Sequence, residues 1–325
     1  MSRTILRRIA PAILLAVSLT ACATDPLDPS SQGTAPTTAA SADTATEADS
    51  LAAFPVVITH DGGDLTLDEA PTRIVTLSAT ATEMLFAIGA GELIVAADSY
   101  SNYPAEAPTI EDLSAFDPNV EAILGYDPDL VIASGDRNDM VAGLAAVGVD
   151  VILQGSAVTL DDTYRQIGVL GDATGRSTEA GVVNTEIEQA LAGLTDGAAG
   201  EGLGFYHELS ADLYSVTSTT FIGEIYGLFG LENIADPADA DGAAFGYPQL
   251  SAEYLVEADP ELVFLACTVF CSETTDTFGA RDGFDTMSAV TGGNVIELND
   301  DVASRWGPRV VEFAEAIAKA LANLS

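Results

Sequence analysis

Two stretches of the chain repeat one pattern at a constant offset of 132 residues, and this repeat constrains the fold most. They are Asn119–Gly135 and Ser251–Cys267, within which Asp127–Val131 aligns with Asp259–Val263 almost letter for letter. Each copy opens with a helix-capping residue, and an Asp-Pro pair ends the helix, because a residue before proline is disfavoured in the helical region. An unbroken apolar run follows, which is typical of a strand buried on both faces. Each copy is therefore predicted to be a helix leading into a parallel-sheet strand.

A weaker echo supports an internal duplication. Thr82–Leu93 resembles Gly223–Asn233, with Glu83 aligned on Glu224. Helix–proline–strand units are common in α/β proteins, but two matches in the same order favour duplication over chance. The sequence therefore predicts two similar α/β lobes. Between them, Ser177–Leu194 carries apolar residues at helical spacing and predicts a connecting helix roughly 27 Å long.

The first 21 residues have the organisation of an export signal, with three arginines, an apolar segment and small residues before Cys22. Leu19-Thr20-Ala21-Cys22 resembles the bacterial lipobox, which implies cleavage before Cys22 and its modification by a lipid. An ordinary signal peptide with a chance cysteine is the alternative. Residues 22–53 have almost no large apolar side chain and are predicted to form a disordered tether. The protein is therefore expected to be anchored to the outer face of the cytoplasmic membrane.

The folded region is divided into three parts by these patterns. We predict an N-terminal α/β lobe at residues 54–175, the connecting helix at 176–196 and a C-terminal α/β lobe at 197–325. The second lobe is expected to open with strands at Gly204–Glu208 and Leu213–Val216.

Composition excludes several classes of function. The chain has 50 Asp plus Glu against 11 Lys plus Arg, a net charge of −39, which argues against nucleic acid because phosphates require clustered cations. With only His60 and His207, a zinc or manganese site built from several histidines is not expected. The sequence has no G-x-S-x-G, H-E-x-x-H or P-loop motif. An exported hydrolase on an α/β scaffold stays as the alternative of a different class.

Cys267 and Cys271 follow the second repeat strand on the exported side of the membrane. A disulfide is favoured in that compartment. A zinc site would need two more ligands, and none is spaced nearby.

Ligands of open parallel sheets bind beyond the carboxyl ends of the strands. A helix that runs back against the strands begins at this same edge, so Glu121 and Glu253 in the first turns of the repeat helices are expected on the cleft rim. Each one alone could be a solvated carboxylate that complements the helix dipole. As a matched pair, one per lobe, they indicate a docking role.

From about residue 54 to its end, the sequence resembles a substrate-binding lipoprotein of an ABC importer, of the ferric-siderophore, haem and cobalamin type. The resemblance rests on Ala70–Val75 leading into Thr82-Glu83, on the Asp-Pro-Asp-Leu-Val-Ile run, on the connecting helix and on Arg305–Arg309. It implies two Rossmann-like lobes joined by one long α-helix, with the ligand in the cleft between them. It also implies a monomer without enzymatic activity, whose Glu121 and Glu253 meet arginines on the permease.

The expected ligand is a metal chelate, a ferric siderophore first, with haem or cobalamin as alternatives; no cofactor or metal site of the protein's own is predicted. Arg137 and Arg305 could pair with an anionic chelate, and the aromatic residues could pack a corrin, porphyrin or aryl group, or else the cores of the lobes. His207 could ligate haem iron, although a lone histidine is more often structural. A membrane-tethered sensor is a third possibility. The candidate ligand-binding residues are Thr80, Tyr100, Tyr103, Arg137, Tyr206, Thr217, Tyr247, Arg305 and Trp306.

Overall fold

The structure is a computed structural model that describes residues 54–324. These residues belong to one compact unit, Asp49–Ser325. The predicted export signal, the predicted lipidation site Cys22 and the predicted tether lie outside the described residues.

The first half begins with an antiparallel hairpin of β1 (Val56–His60) and β2 (Gly63–Leu67). Its parallel sheet is built from β3 (Ile74–Leu77), β4 (Ile94–Ala97), β5 (Leu130–Ala133) and β6 (Asp150–Leu153), in the spatial order β4-β3-β5-β6. The helices of this half are α1 (Ala79–Ala87), α2 (Val120–Leu124), α3 (Met140–Ala145) and α4 (Leu160–Thr174). The connecting helix α5 (Ser177–Thr195) follows.

The second half repeats this plan. Its strands are β7 (Gly204–Glu208), β8 (Glu232–Asn233), β9 (Leu262–Leu265) and β10 (Val295–Glu297), in the spatial order β8-β7-β9-β10. Its helices are α6 (Phe221–Gly227), α7 (Ala252–Ala258), α8 (Thr275–Gly279), α9 (Ser288–Thr291), α10 (Asp300–Ser304) and α11 (Val310–Leu324). In each sheet the first strand lies between the second and the third, so the predicted pair of similar α/β lobes is confirmed.

The repeat has the local structure that its sequence predicts. The side chain of Asn119 accepts a hydrogen bond from the backbone of Ala122, and Ser251 caps its helix through Tyr254 in the same way. Asp127 and Asp259, each just before a proline, both adopt positive φ angles. The strands that follow, β5 and β9, are buried throughout. Cap, helix stop and apolar run therefore recur together in both lobes.

The connecting helix packs against both halves. It lies against α4 of the first lobe and α11 of the second, and it buries Ala180, Val183, Ile187 and Leu191, which share one helical face. A single apolar cluster extends through β5, α5 and β9. Since this core is continuous between the lobes, opening them widely would expose apolar surface to water.

The predicted strand Leu213–Val216 is wrong. Leu213 has a φ of 66°, and the backbone N–H of Ser215 donates to the carbonyl oxygen of Pro248, so this segment pairs with a loop outside the sheet. The strand beside β7 is the two-residue β8 instead. Among the helices of residues 54–324, none is both long and apolar enough to cross a membrane.

Candidate ligand-binding cleft

Loops at the carboxyl ends of the two parallel sheets meet across the boundary between the lobes. Tyr100 follows β4 and Phe270 follows β9, and their ring centroids lie 6.5 Å apart. On the first lobe, Phe116 packs edge-on to Tyr100 at 5.5 Å, and the guanidinium carbon of Arg137 lies 5.7 Å from the Phe116 ring centroid. All four side chains are exposed. We call Tyr100, Phe116, Arg137 and Phe270 the aromatic rim, to which both lobes contribute.

Tyr247 lies in the loop after β8 and is half-exposed, beside the highly exposed Phe245. The backbone N–H of Thr217 donates to the carbonyl oxygen of Gly246, which has a φ of 87°. A Cβ on Gly246 would lie 2.6 Å from the side chain of Thr220, so the tight turn requires glycine. Thr217 itself is buried, and its hydroxyl is hydrogen-bonded to that of Thr219. Its backbone bond to Gly246 therefore stabilises this loop.

Arg305 does not face a ligand. Only 8% of it is exposed. Its Nη1 donates to Glu83 Oε1 at 2.7 Å and to Asn102 Oδ1 at 3.0 Å. Its Nη2 donates to the carbonyl oxygen of Tyr100 and pairs with Asp301. The predicted role of Arg305 in pairing with a chelate is corrected, because protein groups of both lobes already occupy its guanidinium.

Trp306 and Thr80 also lie at the lobe interface. Trp306 Nε1 donates to Gln166 Oε1 on α4, and the carbonyl oxygen of Trp306 accepts from Thr163. Thr80 is buried near the start of α1, where a Cβ on Gly307 would contact its methyl group at 3.4 Å. Trp306 thus bonds the two lobes together, and Thr80 lies close to Gly307 of the opposite lobe.

Tyr103 borders a separate cavity of about 470 Å³ between α1 and the start of α11. The guanidinium of Arg309 stacks over the Tyr103 ring at 4.2 Å, so this ring is partly covered by protein.

Tyr206 and His207 are enclosed within the second lobe. Tyr206 is fully buried and donates its hydroxyl to Glu208 Oε2. Its side chain therefore does not reach the cleft, and its predicted ligand role is corrected. His207 Nδ1 lies 2.8 Å from the hydroxyl of Tyr226, and burial lowers the pKa of His207 to about 3. A neutral imidazole packed edge-on against Tyr226 and Phe313 is not placed to ligate a haem iron in the cleft.

The lobes contact each other through a reciprocal pair of glutamates. Glu83 on α1 binds Arg305 and, at 3.4 Å, Arg309, just before α11 of the second lobe. Glu224 on α6 accepts a hydrogen bond from the backbone N–H of Leu160, the first residue of α4. Each glutamate thus reaches the start of the terminal helix of the opposite lobe. Burial raises the pKa of both carboxyl groups, although the arginines oppose this for Glu83.

Glu121 and Glu253 are exposed in the first turns of α2 and α7. Hydrogen bonds from its own backbone N–H and from Ser251 lower the pKa of Glu253, so this carboxylate is ionised at neutral pH. Each helix follows a carboxyl-edge loop of its own lobe. The two acids are therefore available at the surface, one on each lobe.

Cys267 and Cys271 form a disulfide, with Cα atoms 5.1 Å apart, and Phe270 lies inside the ring that it closes. Sequence reasoning missed Phe270 and Phe116 as individual candidates. The position of Phe270 between two cysteines beyond a buried strand was an available signal, whereas Phe116 lies in a long loop with no periodic pattern.

Across residues 54–324, no group of three or more His, Cys, Asp or Glu side chains converges to hold a metal ion.

Comparison with known proteins agrees with this geometry. A family model described as periplasmic binding protein matches residues 74–302. An uncharacterized ABC transporter substrate-binding lipoprotein of Bacillus subtilis is 26% identical over 284 residues, spanning 82% of this chain and 86% of that protein. A cobalamin-binding protein of Halobacterium salinarum is 28% identical over 288 residues, spanning 85% and 77%.

Among solved structures, the periplasmic vitamin B12 binding protein of Vibrio cholerae superposes with a TM-score of 0.63 at 26% identity, covering 78% of this chain and 97% of that one. The family match spans most of the chain, and the strand order and connecting helix fit it. This chain therefore belongs to the periplasmic binding protein family and is the substrate-binding component of an ABC importer.

Proposed function

We propose that this protein captures a bulky chelate of low net charge, a corrinoid first, between its two lobes and delivers it to a membrane permease without transforming it. The observation that carries this proposal is the aromatic rim, in which Tyr100, packed edge-on against Phe116 of its own lobe, faces Phe270 of the other lobe. Exposed aromatic faces favour a large, partly apolar ligand.

The charges of the protein favour a ligand that is not strongly anionic. Arg137 is an exposed cation of the rim, whereas Arg305, the other arginine expected to pair with an anionic chelate, is bonded within the protein. The net charge of −39 further opposes the approach of anions. These points rank a corrinoid, or an uncharged ferric hydroxamate, above an anionic ferric siderophore.

The histidines provide no support for axial haem binding. His207 is buried against Tyr226, and His60 accepts hydrogen bonds at Nδ1 from Gly62 and Leu153 in the N-terminal hairpin. A chelate whose own donor atoms already satisfy its metal needs no such ligand. Cobalamin is also what the named relatives from Halobacterium salinarum and Vibrio cholerae bind.

The ligand is expected to bind with small movements of the lobes. The reciprocal contacts of Glu83 and Glu224, together with the continuous apolar core, oppose a wide hinge motion. Without ligand, the cleft would therefore have nearly the same shape as with ligand, which reduces the ordering cost of binding.

Titration of the purified protein with cyanocobalamin, hemin, ferrioxamine B and a ferric tris-catecholate tests the ligand class. We expect saturable 1:1 binding of cyanocobalamin and at least tenfold weaker binding of the tris-catecholate. Preference for the tris-catecholate would overturn the proposed class. Turnover of hydrolase substrates, with no binding in the panel, would overturn the carrier function itself.

Docking to the permease is proposed to use Glu121 and Glu253, and attachment to the membrane to use a lipid on Cys22 of a monomeric protein. The Glu121→Arg/Glu253→Arg double variant is expected to reduce uptake through the cognate permease more than tenfold while ligand affinity changes less than twofold. Glu257→Arg, an exposed site on α7, is the matched control. Unchanged uptake in the double variant would contradict the docking role.

A further inference from the structure

The loop between Cys267 and Cys271 carries two exposed apolar side chains, one of which faces the cleft. Val269 is 64% exposed and Phe270 is 68% exposed, and Phe270 faces Tyr100 of the other lobe. The disulfide joins the two ends of this five-residue segment. An exposed apolar pair is thus held in a small covalent ring at the edge of the ligand site.

A buried carboxylate fixes the backbone of this loop. Asp300 is 5% exposed, and its Oδ1 accepts from the backbone N–H groups of Thr268 at 2.7 Å and Val269 at 3.0 Å. Its Oδ2 accepts from the N–H of Phe270 at 2.9 Å. Three successive N–H groups converging on an anion form a nest, and hydrogen bonds to a charged acceptor are stronger than neutral ones. The loop is therefore ordered without a ligand.

The far end of the loop is fastened to the sheet. The N–H of Glu273 donates to the carbonyl oxygen of Cys267, and the Glu273 carboxylate pairs with Arg281 at 2.9 Å. Arg281 in turn donates two hydrogen bonds of 2.7 Å to Glu208, the last residue of β7. Covalent, ionic and backbone bonds thus restrain the loop from both ends.

The short helix α10 links this loop to the opposite lobe. Asp300 is its first residue, and Arg305, which follows its last residue, donates to the carbonyl oxygen of Tyr100. Asn102 also donates to Asp301 across the boundary, at 2.8 Å. One helix therefore positions both Phe270 and Tyr100, the two rings that face each other across the lobes.

We propose that the Cys267–Cys271 loop is a preformed jaw that holds Phe270 against the ligand opposite Tyr100, with Asp300 as its positioning residue. This inference rests on the proposed function, because it assigns to the same cleft a further residue that contacts the ligand. Since the jaw is ordered in advance, the ligand does not pay for its immobilisation, and loosening the jaw accelerates ligand release.

Stopped-flow dissociation of cyanocobalamin from the full chain tests the jaw. Phe270→Ala is expected to raise the dissociation rate about tenfold by removing the ring contact. Asp300→Asn and the Cys267→Ser/Cys271→Ser double variant keep Phe270 but loosen the loop, and each should raise the rate severalfold. Val182→Ala, an exposed apolar site on the connecting helix, is the control and should leave the rate unchanged. A wild-type rate in Phe270→Ala would overturn the inference.

A measurement without ligand separates this inference from the proposed function. Amide hydrogen exchange at residues 268–270 should be slow in the wild-type protein and at least tenfold faster in Asp300→Asn. Fast exchange in the wild type would overturn the preformed jaw whatever the ligand. If the wild type binds none of the panel, the proposed function fails. If it binds cyanocobalamin but Phe270→Ala releases it at the wild-type rate, the proposed function stands and this inference alone fails.

Discussion

The two lobes share one strand order but fill equivalent interior positions differently. Ile74 pairs with Leu130 in the first sheet and Phe205 with Leu262 in the second, which makes Thr76 equivalent to His207 and Leu77 equivalent to Glu208. In the first lobe, hydroxyl groups form a chain that ends at Asp98. The members of this chain are Thr76, Thr82, Ser101 and Asp98.

In the second lobe, His207 bonds to Tyr226, and Glu208 forms an ion cluster with Arg281 and Glu273. The apolar pattern fixes the topology, whereas a buried polar group can be exchanged as long as it finds a partner. The ion cluster of the second lobe connects to the jaw through Glu273, whereas the hydroxyl chain of the first lobe ends at the carboxylate of Asp98. The two lobes therefore share a topology but differ in the polar groups that they bury.

Arg281→Met should produce the largest loss of stability, because it leaves Glu208 and Glu273 buried without a cation. We expect the free energy of unfolding at pH 7 to fall by about 4 kcal/mol, measured by urea denaturation. The matched change in the first lobe, Thr82→Val, removes a hydroxyl from its chain and should cost about 1 kcal/mol. Equal losses in the two variants would contradict the contrast between an ionic and a hydroxyl interior.

Glu83→Gln and Glu224→Gln sharpen the comparison at the lobe interface. Glu83→Gln leaves the buried guanidinium of Arg305 with less compensation and should cost roughly 3 kcal/mol. Glu224→Gln weakens a single hydrogen bond to the N–H of Leu160 and should cost about 1 kcal/mol. Urea denaturation measures both, and a larger loss in Glu224→Gln would show that the second contact dominates.

His207→Gln should reveal a pH dependence that the equivalent Thr76 cannot produce. The unfolded chain binds a proton on His207 below its ordinary pKa of 6.5, whereas the folded protein binds it only near pH 3. Acid therefore favours unfolding through this group, and its contribution to stability is lost as pH falls from 6.5 towards 3. Between pH 6.5 and pH 5 the loss is about 2 kcal/mol.

The control for this prediction is the difference in unfolding free energy between the wild type and His207→Gln. Burial raises the pKa of Glu83, Glu208 and Glu224, and these groups favour the folded state as pH falls. Because both proteins retain them, subtracting the unfolding free energies of His207→Gln from those of the wild type isolates His207. A difference that does not change between pH 6.5 and pH 5 would contradict the burial of a neutral imidazole.

The fold could be predicted where the sequence pattern is long or sharply bounded. The predicted connecting helix, Ser177–Leu194, agrees with α5 to within one residue, and each repeat copy contains the buried strand that it predicts, β5 or β9. The two-residue β8 was missed because it carries too few residues to show alternation. The connecting helix and the two repeat strands are determined by local sequence patterns, which a single sequence shows.

The site was harder to predict because its contacts join distant parts of the chain. Nothing in the local sequence indicates a partner for Arg305, yet its guanidinium donates to Glu83, which lies 222 residues away. Tyr206 lies in a strand whose last four residues are buried, and no local signal distinguishes a tyrosine that faces a core from one that faces a cleft. The alignment of Glu83 with Glu224 was visible, but their reciprocal contacts required the packing of both lobes.

The most direct test of whether the ligand is held between the two lobes is a double-mutant cycle on cyanocobalamin binding. It combines Tyr100→Ala in the first lobe with Phe270→Ala in the second. We predict 1:1 binding to the wild type, with each substitution weakening affinity about tenfold because each removes an aromatic contact. Binding that is unaffected by either substitution, or by both together, would contradict a ligand held between the two lobes.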